Sequence, residues 1–193
     1  MVEFAFASLF LVPMLLGTIN LGMNLTRSIQ VTQVSRDAGH MFVRFVDFSL
    51  PANQDIIVRL AYGLGMTRVD GNGKVTLTRI MFIGDDECAA GGLTTAECTN
   101  HSLPVITQQI MIGNDLLRAA SFGEVPLNLL DEKCEVAQND YLTDINVRAV
   151  DFQPLLALQP GEFAYVAEAY FDAPEYDFPG FFESGRLYAR TIF

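Results

Sequence analysis

Residues 4–26 of this chain, FAFASLFLVPMLLGTINLGMNLT, carry no formal charge. Glu3 precedes the run and Arg27 follows it. At a helical rise of about 1.5 Å per residue the run extends roughly 34 Å, close to the hydrocarbon thickness of a bilayer. Such a segment has two options: it crosses a membrane as a helix, or it is buried among other apolar helices. A plain secretory signal fits badly. Such signals open on basic residues and close on small ones, whereas this chain opens Met1-Val2-Glu3.

The helical pattern continues past Arg27. Ile29, Val31, Val34, Ala38, Met41, Phe42, Phe45 and Val46 recur mostly at gaps of three or four, with Gln30, Gln33, Arg36, Asp37 and Arg44 between them. The spacing predicts one helix over residues 2–48, apolar all round in its first half and amphipathic in its second. The second half must lay a stripe on a packed head. This divides the chain into an apolar segment, 1–27, and a globular head, 28–193. Pro13 removes one backbone hydrogen bond and crowds the carbonyl of Leu9, so a disturbance is expected there. Two readings of Glu3 stand side by side. Its carboxylate reaches the membrane surface, or it pairs with the terminal amine of a neighbouring subunit.

Charge separates the same two parts. The net charge is −11. Glu3, Asp37 and Asp47 balance Arg27, Arg36 and Arg44 over residues 1–48, so the whole excess sits in the rest of the chain. An acidic body argues against nucleic acid and against a polybasic lipid tether.

The head reads as mostly β. Ser49-Leu50-Pro51 ends the first helix, and Pro51 is suited to open a second, over 52–62, ending at Gly63 or Gly65. Period-two patterns then predict a hairpin of 66–69 and 74–83 about the turn Asp70-Gly71-Asn72-Gly73, with further strands at 105–112, 163–171 and 187–193. Segment 145–150 is a short strand or helix, and 84–104 and 113–160 are mainly loop. The fold class is α+β: a long N-terminal helix packed on a mostly antiparallel sheet.

Little points to chemistry. The chain has neither the nucleophile-elbow motif nor the zinc-protease or phosphate-loop motifs, and its two histidines, His40 and His101, lack ligands at useful spacing. We expect no enzyme activity, no metal site and no cofactor. Asp70-Gly71-Asn72-Gly73 lacks the distal Glu of a calcium loop and reads as a turn. Asp85-Asp86-Glu87 reads as a solvated acidic loop. Cys88 and Cys98 enclose a short loop and form a disulfide if the head is exported. Cys134 is then left over, inert or in exchange with one of them. Asn24 and Asn100 open glycosylation sequons of a kind that arises by chance.

Met1-Val2-Glu3-Phe4-Ala5 followed by an apolar helix resembles the TadE/TadF-like pseudopilins of tight-adherence pilus systems, whose helix opens on Glu and then Phe or Tyr. VSRDAG at 34–39 is similar to the family's Ala/Arg/Gly stretch late in that helix. QQIMIGN at 108–114 resembles its strand ending in Gly-Asn. PGEFAYVAEAYFDA at 160–173 resembles its strand with Gly, Glu, Tyr, Glu and an aromatic, here Gly161, Glu162, Tyr165, Glu168 and Phe171; 187–193 resembles its closing strand. In the family the Glu usually stands fifth after processing; here it is third.

The resemblance implies a pilin-like subunit. It would be held in the bacterial inner membrane by a single pass, cut by a prepilin peptidase and driven by a secretion ATPase into an extracellular filament. Its partners would be copies of itself or other pilins, met through the helix. The assembly residues would be Glu3, Phe4, Phe6, Phe10, Leu11, Pro13, Leu15, Leu16 and Ile19. Two other roles remain in view: an initiator or scaffold at the pilus base, and an adhesive or ligand-binding head.

Overall fold

The computed structural model describes residues 2–173 and 185–193. Helix α1 runs from Val2 to Val43 and passes through Pro13 without a break. Helix α2 spans Pro51–Leu60, with the proline in its first turn, where a missing N–H costs nothing. Strands β1 (Gly73–Phe82), β2 (Pro104–Gly113), β3 (Phe163–Ala173) and β4 (Gly185–Ile192) form one sheet in the order β2-β1-β3-β4. Every pairing is antiparallel. Short helices α3 (Asp85–Ala90) and α4 (Gln138–Thr143) lie in the connections. The α+β class expected from the sequence is what the chain adopts.

Helix α1 joins the core only in its second half. Val31, Val34, Ser35, Ala38 and Phe42 are buried, at steps of three, one, three and four residues. That is one face of a helix. The Ser35 hydroxyl donates to the Ala167 carbonyl at 2.9 Å, which ties the helix to β3. Gly39 lies against the Phe193 ring and Ala167, where any Cβ would collide. The rings of Phe42 and Tyr165 meet edge to face, 5.5 Å apart. This face and α2 cover Val75, Leu77, Ile110, Ile112, Ala167, Ala169 and Phe171 in one core cluster.

The other face of the sheet is covered by connections. Ile80, Val105, Ile106, Ala164 and Val166 pack there with Phe122, Leu142, Val147 and Phe152. Ile80 faces this second cluster by the alternation of β1, whereas on β2 the register shift between Arg79 and Ile80 leaves Thr107 as an extra residue, so Ile106 faces the second cluster while Ile110 and Ile112 face the helix.

Three expectations need correction. The first helix stops at Val43, not 48: Phe45 takes a left-handed backbone, φ 60°, and the Val46 N–H donates back to Met41, closing the helix as a glycine commonly does. Residues 66–69 form no strand. Asn72 donates to Gly65 and Thr67 to Asp70, so 65–72 folds as a closed loop, and β1 pairs with β2 and β3 instead. Asp85-Asp86-Glu87 is the first turn of α3, and the Glu87 carboxylate accepts from the Gly84 N–H at 2.8 Å. Of the two forms left open for 145–150, the helical one is present, as a single 3₁₀ turn over Ile145–Val147.

Candidate membrane and assembly element

The first half of α1 has little of the head around it. Phe4, Phe6, Phe10, Leu11, Leu15, Leu16 and Ile19 are all exposed, Phe10 at 73% and Leu15 at 59%. Pro13 is exposed on the same segment. A Cβ added at Gly17 or Gly22 would meet nothing within 4 Å. Soluble monomers rarely present so continuous an apolar surface. Each such side chain gains about 1.5–3 kcal/mol on leaving water, so this segment needs lipid or other helices around it. Glu3 belongs to α1, and its side chain, on which both readings of the carboxylate turn, lies outside the described residues.

The polar side chains of this half are compatible with an apolar medium. The Thr18 hydroxyl donates to the Leu15 carbonyl at 2.8 Å, and Thr26 donates to Gly22 at 2.9 Å. Asn24 donates its amide to the Asn20 side-chain oxygen at 3.1 Å. The helix thus satisfies these groups from within, as a membrane-spanning segment must. By length and composition, α1 is long and apolar enough to cross a membrane.

The head meets this element through a rigid seam. Segments 34–39 and 160–173 and the terminal strand, far apart in sequence, converge there. Ser35 bonds Ala167 and Thr191, Gly39 packs on Phe193, and His40 lies beside the Phe193 ring, 4.7 Å centre to centre. Glu168, on the opposite face of β3, is buried. It accepts from the Tyr188 hydroxyl and from the Ser121 N–H. Burial raises the Tyr188 pKa, and its bond to Glu168 raises it further.

Sequence reasoning missed this polar layer. The amide of Gln109 donates to the Gly123 carbonyl at 2.8 Å, and its oxygen accepts from the Val125 N–H at 2.8 Å. Lys74, almost wholly buried, pairs with Glu124 at 2.9 Å. These bonds fasten residues 120–125 over the sheet. No sequence signal announces them, because each partner lies at least 14 residues away.

Cys88 and Cys98 are joined as a disulfide, and both are buried. Cys134 is free and half-buried; burial, then Asp131 and Asp47, raises its thiol pKa. Asn100 is fully buried. It donates to the Tyr141 and Asp144 carbonyls and accepts from Arg148, so this sequon is structural. No group of three or more metal-ligating side chains occurs among the described residues. No family model, curated protein or solved structure matches the chain.

Proposed function

We propose that this chain is a pilin-like structural subunit, held in a membrane by the first half of α1 and assembled through that same half into a filament. One observation carries the reading: a single unbroken helix has an exposed apolar half continuous with a half locked into the head. A membrane anchor alone needs no such continuity, and a flexible linker would serve it. A filament does need it, because the helix must fix the position of the head when helices of neighbouring copies pack together. The resemblance to TadE/TadF-like pseudopilins supports the same role. It adds the bacterial inner membrane, prepilin peptidase and a secretion ATPase as the route.

In lipid and in a filament core the same side chains are hidden from water, so transfer between the two sacrifices little burial. A charge in that stretch does not transfer. An aspartate at the centre of a membrane helix costs about 2.5–3.5 kcal/mol on insertion scales, and more where helices pack against it without a cation. Leu15→Asp is therefore expected to remove the chain from sheared surface filaments, measured by mass spectrometry of that fraction, while the Cys88–Cys98 bridge still forms. Leu15→Asp chains present there at the wild-type level would refute the assembly role.

A further inference from the structure

One end of the head lies level with the apolar half of α1. Ser35 is level with Ala167, and Phe42 with Tyr165, so α1 runs antiparallel to β3. From Ala167 to Asp172 is five residues, or about 17 Å of strand. The same distance along a helix is about 11 residues, which brings Asp172 level with Asn24. An independent chain of contacts agrees to within about two turns. Gln30 lies against Gly63, Gly65 accepts from Asn72, and Asn72 accepts from Asp172.

Two exposed apolar side chains stand at this end. Leu116 is 94% exposed and Val69 is 81% exposed. Both sit on ordered loops. Asn114 binds Gly73 through its N–H and the Gly71 carbonyl through its side chain at 3.1 Å, and its side-chain oxygen accepts from the Leu116 N–H at 3.0 Å. The Arg68 carbonyl accepts from the Gly113 N–H, which joins the two loops. Beside them Arg118 lies over the Tyr188 ring at 4.3 Å. It makes no ion pair among the described residues. Apolar tips next to a tyrosine and a guanidinium suit a phospholipid interface, where carbon enters the acyl boundary and the cation meets phosphate.

We propose that the loop tips at Leu116 and Val69, with Arg118 beside them, dock on the phospholipid surface while α1 spans the bilayer. This rests on the membrane role of α1, and it makes the head a seated cap instead of a tethered one. Docking fixes how far the helix protrudes before extraction.

The chain contains no tryptophan, so a single introduced one reports its own depth. Leu116→Trp, Leu15→Trp and Leu155→Trp would be placed, one each, in full-length protein in phosphatidylcholine–phosphatidylglycerol vesicles carrying brominated acyl chains. Leu155, exposed after the second cluster's Phe152, serves as the control away from the membrane. The expected result is strong quenching of the Leu15→Trp probe and at least twofold quenching of the Leu116→Trp probe, with the Leu155→Trp probe unaffected. A quenched Leu15→Trp with Leu116→Trp as bright as Leu155→Trp overturns docking alone. An unquenched Leu15→Trp overturns both docking and the membrane role.

Discussion

Tyr188 and Glu168 show how one side chain holds a loop on the sheet. Glu168 is 5% exposed and accepts from the Tyr188 hydroxyl and the Ser121 N–H. A hydrogen bond to a charged group is worth about 1.5–3 kcal/mol, and less where one partner is partly in water, as Tyr188 is. Tyr188→Phe is therefore expected to cost about 1–2 kcal/mol in denaturant unfolding. The pH dependence has a definite sign. The folded pKa of Tyr188 is raised, so the contribution of the hydroxyl is fully present below the unfolded tyrosine pKa of about 10 and is lost as pH rises through the folded value. The stability gap between wild type and Tyr188→Phe should stay constant from neutral pH to about 9 and close above about 10. A gap that widens with alkaline pH would contradict this arrangement. Cys134 follows the same logic. With its thiol pKa raised by burial, it should react with iodoacetamide at neutral pH several-fold more slowly than in the urea-unfolded chain, read by mass spectrometry.

Among the elements, the connection from Cys88 to Cys98 is stabilised from several sides. The bridge closes a loop of sequence separation 10, for which the chain-entropy relation gives about 3 kcal/mol. Asn100 then ties this loop to α4 and to the 3₁₀ turn at Ile145–Val147. The double substitution Cys88→Ser with Cys98→Ser should lower stability by about 2–3 kcal/mol. It should speed amide exchange in 84–103 and 138–148 while leaving 31–42 of α1 protected; uniform acceleration would mean that the two clusters unfold as one. The elements legible in the sequence were those whose pattern survives packing. The helical stripe of α1 and the β-branched and aromatic runs of β2, β3 and β4 announced themselves. The end of α1 was not legible, since a phenylalanine at φ 60° carries no signal of a helix stop. Segment 66–69 misled because β-branched Thr67 and Val69 lead into the turn residues Asp70-Gly71-Asn72-Gly73 as the arm of a hairpin would, while its hydrogen bonds close locally. Buried Lys74, Gln109 and Glu168 break the alternation of their strands and find partners only in the folded chain. The exposed half of α1 was legible from its missing charges, whereas Leu116 gains meaning only from the level at which the sheet holds it.

At the scale of the molecule, α1 is both an exposed apolar helix in its first half and part of the head's core in its second, and two truncations separate these halves. Among the described residues both buried hydrophobic clusters begin at Val31 or later, so no described side chain of 1–27 belongs to them, although Asn20 is buried. A chain of residues 28–193 keeps Val31, Val34, Ala38 and Phe42 on the sheet and keeps the bond from Ser35 to Ala167. It should be soluble without detergent, monomeric in sedimentation, and should melt in a single transition. A chain of residues 44–193 loses that whole stripe. Val31, Val34 and Phe42 alone are worth about 5–9 kcal/mol of burial, against a total stability for a domain of this size of about 5–15 kcal/mol. Their loss also uncovers Ala167, Ala169 and Phe171 on the sheet. The shorter chain should therefore aggregate or lack a cooperative melt. If it folds as well as the longer one, α1 is only a leash for an independent sheet, and the rigid coupling between apolar helix and head, on which the filament reading depends, does not exist. If residues 28–193 fail to fold while the full chain in detergent succeeds, the apolar half supports the head directly, and the division of labour within α1 is wrong.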